Sequence, residues 1–148
     1  MAYDEGLRSI TLVADASIAT YTGVPGQPGS ADPNGGKQYK FVKVTGAKTC
    51  GLADTTANEI VIGVLQNKPQ YTGSAATVAI RGVSRVVAGG DVDAGEGVKL
   101  NSDGEAVAAT LPGDAEAVVG VAVTSGADQE VISVLLATPT KTTAFAAP

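Results

Sequence analysis

The stretch "VVAGGDVDAGEGVKLNSDGEAV", Val86–Val107, decides the fold. It sets Asp91, Asp93, Glu96, Asp103 and Glu105 among five glycines and short apolar runs. Four readings compete: a cation loop, a pair of catalytic carboxylates, a hairpin presenting a carrier lysine, and plain turns between strands. A calcium loop needs alternating carboxylates, a glycine at the sixth place and a glutamate at the twelfth. Counted from Asp91, the fifth place is Gly95, the sixth Glu96 and the twelfth Ser102, so the ligand set fails. Glycosidase chemistry needs two carboxyls facing across a cleft with pKa values driven apart. These acids sit beside turn glycines, where Asp bonds its own backbone and stays solvated. Lys99 lies two residues before the turn "NSDG", on a strand between Val98 and Leu100, not at the hairpin tip where a lipoyl or biotinyl domain carries its lysine. Two turns remain. "DAGEG" joins Val92 to Val98, and "NSDG" joins Leu100 to a strand at Glu105, with Asp103–Gly104 as a hairpin signal. All five acids are expected on the polar rim of a β-domain.

The rest of the chain follows the same pattern. "LRSITLVA", "QYKFVKV", "EIVIGVLQ", "ATVAIRGVSRVVA", "GVKL", "EAVAA", "EAVVGVAV" and "EVISVLL" each read as a strand, separated by Asn, Asp, Gly and Pro. In "QYKFVKV", Tyr39, Phe41 and Lys43 share one face. No segment has convincing helical periodicity, although "DTTANE" has room for one helical turn. "VIGVLQ…ATVAIRGV" is echoed by "VVGVAV…EVISVLL", each a glycine-containing apolar strand, a polar turn and a second apolar strand. The expected fold is all-β, a small sandwich or barrel-like domain. Residues 23–36, "GVPGQPGSADPNGG", hold three prolines and five glycines and cannot join a regular sheet. Loops of this length are functional or disordered, and both readings stand. The expected organisation is an N-terminal arm and loop over 1–36, a β-domain over 37–136 and a mobile tail over 137–148.

Composition narrows function. At 148 residues the chain is long enough for one domain with its own core. It has no His, the commonest general base and metal ligand. Its one cysteine, Cys50, allows no internal disulfide and is expected to be a buried apolar residue. "NGGK" ends like a phosphate loop, but Ala31 stands where the first glycine belongs and Gln38 replaces the Ser or Thr. No segment approaches a membrane span or a signal peptide. Neither catalysis nor a cofactor or metal site is expected.

Net charge is −5, unevenly spread. Residues 1–36 carry −3, residues 37–85 carry +5 and residues 86–136 carry −8. Nucleic-acid binding needs a concentrated basic surface with stacking aromatics, which this chain lacks. The split suits either an ordinary solvated surface or an oppositely charged partner, such as a second copy.

The motifs "VIGVLQNKPQ", "ATVAIRGVSRVVAGG", "VDAGEGVKLNSDGEAV" and "VVGVAVTSGADQEVISVLL" run in order over 61–136. Together with residues 7–46 they resemble the capsid decoration, or cement, proteins of tailed bacteriophages. The resemblance implies a virion protein, made in the host cytoplasm, that binds the outside of the expanded head. It implies a homotrimer that stabilises the shell by bridging major capsid subunits, with no membrane or nucleic-acid partner. Tyr3, Leu7, Arg8, Val24 and Pro25 are the expected capsid contacts, unless the arm belongs to the domain's own sheet. Arg81 and Arg85 are expected to meet acids of 86–136 on a neighbouring copy, or to form surface pairs within the chain. Two other classes stay open: a head fibre base or tail-tube subunit, and a carrier domain.

Overall fold

Alternating β-branched residues cut by glycine and Asx turns leave no α-helix among the described residues. The computed structural model describes residues 6–20, 36–56, 59–110, 113, 117–137 and 140–141. The strands are β1 (Arg8–Ala14), β2 (Phe41–Gly46), β3 (Thr49–Leu52), β4 (Ile60–Leu65), β5 (Ala75–Arg81), β6 (Val83–Val87), β7 (Gly97–Leu100), β8 (Ala106–Ala108), β9 (Gly120–Ala122), β10 (Val131–Leu136) and β11 (Thr140–Lys141). The all-β reading holds.

The strands form two bodies. β4, β2, β3, β1 and β5 pair in that order, and β5 returns to β4 through Val64–Ala79 and Leu65–Val78, closing a five-stranded barrel. The second sheet runs β6-β10-β9-β7-β8. The run "ATVAIRGVSRVVA" therefore serves both bodies. Gly82, at φ 96°, splits it into β5 of the barrel and β6 of the second sheet. Its left-handed backbone suits glycine, and an added Cβ would press on the Gly6 carbonyl.

The molecule has two cores, one inside the barrel and one shared by the two bodies. Inside the barrel lie Ala14, Ile18, Val42, Cys50, Leu65, Ala76 and Val78. Between the barrel wall and the second sheet, Phe41, Val61 and Val64 meet Val86, Val98, Leu100, Ile132 and Val134. Alternation produces this division: Val42 points into the barrel, while Phe41 points out of it, toward the other sheet.

The hairpin echo has a physical content. A Cβ on Gly63 of β4 would fall on the Ala79 carbonyl oxygen, and one on Gly120 of β9 on that of Leu135. In both hairpin units a glycine lets two backbones approach where a side chain cannot fit.

Several expectations are corrected. Tyr39 is not in the strand: it stands at φ 66°, its N–H donating to the Leu65 carbonyl and its own carbonyl accepting from Val87. Tying β4 to β6 requires the bend, so β2 starts at Phe41. Strand β3 was not expected, because "TCGL" is short and lacks alternation. Beyond residue 137, Thr140 and Lys141 form β11 and pair with Val61 and Ile60 on the part of β4 that β5 leaves free. β1 lies between β3 and β5, which agrees with the alternative that the arm belongs to the domain's own sheet. At "DTTANE", Asp54 accepts from the Thr56 N–H in an Asx turn, and residues 57–58 lie outside the described residues.

Candidate interaction surface

The antiparallel register of β1 and β5 sets Arg8 opposite Arg81, with the ladder shifting between Arg8 and Ser9. Both are exposed. Like charges directly opposite repel, and among the described residues neither forms an ion pair. Leu7, half-buried, precedes them. Thus two residues expected to meet different partners share one strand end. Tyr3, Val24 and Pro25 lie outside the described residues.

The same end of the barrel is apolar. Ile10, Val44 and Ile60 are 40%, 54% and 46% exposed, while Ile62 and Ile80 pack partly against the barrel core. Val44, Ile60 and Ile62 line a cavity of about 530 Å³ with Lys43, Thr45 and Glu59. On its rim Lys43 pairs with Glu59 and lies 3.8 Å from Asp54. The Thr56 backbone N–H and hydroxyl, then Lys43, hold the Asp54 carboxyl below its ordinary range.

Arg85 lies elsewhere, on the outer face of the second sheet. There it donates to the Tyr39 hydroxyl at 3.4 Å and stands opposite Ser133. Around it are Val83, Val87, Val121, Val131 and Leu135, linked by the pairs Val87–Val131, Val83–Leu135 and Val121–Leu135. Val121, Val131 and Leu135, with neighbouring Val123, are all more than 40% exposed. Clustered exposed apolar side chains make this face a candidate interaction surface. These residues are not among the contacts expected from the sequence. The signal was present in "VVGVAV" and "EVISVLL", which are apolar on both faces, as strands covered on both sides are.

The acids of Val86–Val107 divide. Asp91, Asp93 and Asp103 are exposed, the last two in turns, and Glu96 accepts from the Asp93 N–H at 3.0 Å. Glu105 does not belong to the polar rim. It is buried, with Lys40 at 3.3 Å, and it accepts from Asn101 at 3.2 Å and Gln129 at 3.0 Å. Burial pushes its pKa up, but the hydrogen bonds from Asn101 and Gln129 and the charge of Lys40 together outweigh that and hold it below the ordinary range. Lys99 lies on β7, opposite Val107, on the face away from Val98 and Leu100. Among the described residues no three His, Cys, Asp or Glu gather for a metal.

The fold has a solved counterpart. This chain is similar in structure to the N base of the head fiber protein gp8.5 of bacteriophage phi29. The match has a TM-score of 0.59 and covers 91% of this chain and 97% of that one, at 19% sequence identity. At that identity the likeness speaks for the fold, over nearly the whole of both chains. No protein-family model matches the chain, and no curated protein matches it.

Proposed function

We propose that this chain is a structural protein of a phage virion that sits on the outside of the head. The fold likeness to a head-fiber base, spanning nearly all of both chains, carries the reading. The surface agrees with it: exposed apolar residues on two faces and an arginine pair without an acidic partner among the described residues suit docking. In its finer form the chain is a cement protein. It binds the expanded head as a homotrimer and bridges major capsid subunits, without catalysis. Copies that bind the assembled shell but not loose subunits shift the equilibrium toward the shell. Repeated weak contacts per trimer add up through avidity.

Undecorated expanded heads test this. The protein co-sediments with them, and decorated heads survive heating longer. A failure to co-sediment with heads of its own phage defeats the reading. The likeness to a fiber base favours a second reading, in which the same module anchors a projecting fiber. Heads would then bind the protein without gaining heat resistance, and density maps would show a projection beyond the module.

A further inference from the structure

The ladder between β1 and β3 is short. It holds only Val13–Thr49 and Ala14–Cys50. The Val13 N–H donates to the Lys48 carbonyl and the Asp15 N–H to the Cys50 carbonyl. Backbone groups alternate sides along a strand, so Ser9 and Thr11 also turn their N–H and C=O toward the β3 side. No β3 residue lies opposite them, and no other hydrogen bond satisfies them among the described residues. The barrel is therefore open along the first half of β1. This half is exposed from Arg8 to Thr11, and Arg8 and Arg81 flank it.

We propose that this open edge, residues 8–12, is a docking edge that takes an extended, carboxylate-bearing segment of another protein as an added strand. Exposed edges with unpaired backbone groups are templates for strand addition. Ser9 and Thr11 supply the ladder. Arg8 and Arg81 supply a doubly positive end whose mutual repulsion a partner carboxylate relieves. Ile10, at 40% exposure, supplies an apolar contact on the barrel side.

A second copy fits this edge poorly. The open-sided strands β6, β8 and β11 read "VSRVV", "AVA" and "TK" and contain no Asp or Glu. Among the described residues the exposed acids Asp93, Asp103, Asp128 and Glu130 sit in tight turns instead, and Asp91 lies outside any strand. The occupant is thus a different chain. That this chain is a shell subunit rests on the function proposed above; the edge itself does not.

Two measurements separate these points. The first titrates the ¹⁵N-labelled protein with a synthetic heptapeptide alternating glutamate with valine and threonine. Shifts are expected at residues 8–12 and at Arg81. They weaken at least about tenfold with a glutamine-for-glutamate peptide or in the R8E/R81E variant. No shift at millimolar peptide, or shifts confined to other strands, overturns the edge. The second measurement compares binding to undecorated heads for wild type, R8E/R81E and Thr11→Pro. The proline removes an N–H that no ladder among the described residues uses, and thermal melting verifies that each variant folds. Loss of head binding in both variants supports the edge as the shell contact. Binding equal to wild type overturns that assignment while the shell reading stands. Heads that fail to bind even wild type remove the shell as partner, and the peptide result alone then decides the edge.

Discussion

Lys40 Nζ lies 3.3 Å from Glu105 Oε2, and this contact ties the start of barrel strand β2 to the turn that opens β8 of the second sheet. It also joins the basic and acidic parts of the chain internally. Both side chains are largely buried, at 14% and 6% exposure. Removing one partner leaves the other charge unpaired. Glu105→Ala is expected to cost about 3 kcal/mol. Glu105→Gln, which keeps an acceptor, costs about half as much. Urea unfolding measures both. The Glu105 pKa is lower folded than unfolded, so its contribution is complete at neutral pH. It is lost as pH falls through the ordinary carboxylate range and below. The wild type should therefore lose more stability on acidification than Glu105→Gln does.

Gly63→Ala is expected to destabilise by about 3 kcal/mol, because the new methyl meets the Ala79 carbonyl and the β4–β5 closure of the barrel must shift. Gly120→Ala meets the Leu135 carbonyl and should behave alike in the second sheet. Gly73, which has open space around it but φ 92°, tests the other cause of glycine dependence. Gly73→Ala should cost only about 1 kcal/mol, from the left-handed backbone alone. Thermal melts of the three variants rank them.

Cys50 is fully buried inside the barrel, where desolvation and then the nearby Asp15 carboxylate raise its thiol to about 11. A thiol reagent should leave the native protein untouched at neutral pH and modify it only on unfolding. Because the folded pKa exceeds the unfolded one, stability should fall as pH rises above the ordinary thiol range toward about 11. Reaction of the folded protein as fast as of a free thiol would contradict this burial.

Leu135→Thr, on the outer face of the second sheet, is expected to change folding stability by less than about 0.5 kcal/mol. It should reduce binding of an apolar dye and any self-association seen by light scattering. A large loss of stability instead would mean that Leu135 is part of a core.

The sequence carried the strands well and their grouping poorly. "GVKL" and the "NSDG" hairpin were legible because turn chemistry and alternation are local. Gly82 was not recognised as a break, since a glycine inside an alternating run looks the same whether it bulges a strand or sends the chain to another sheet. β3 escaped because its order comes from pairing with β2 and β1, not from its own four residues. Local sequence places Glu105 at the surface because its burial depends on Lys40, 65 residues away in the chain. Among the surface features, Arg8 and Arg81 are legible in the sequence only singly. Their juxtaposition needed the β1–β5 register.

The backbone crosses from barrel to second sheet at Gly82 with no intervening loop. Slack is therefore absent at that junction. A pull applied along β1 would pass into β5 through a ladder running from Arg8–Arg81 to Val13–Ala75, loaded in shear, and then directly into β6 and its five pairs with β10. Such a chain carries tension through both bodies at once, and rupture of one should coincide with rupture of the other. In single-molecule extension the protein should give way in one step, and lengthening the junction with a few flexible residues after Gly82 should divide that step in two.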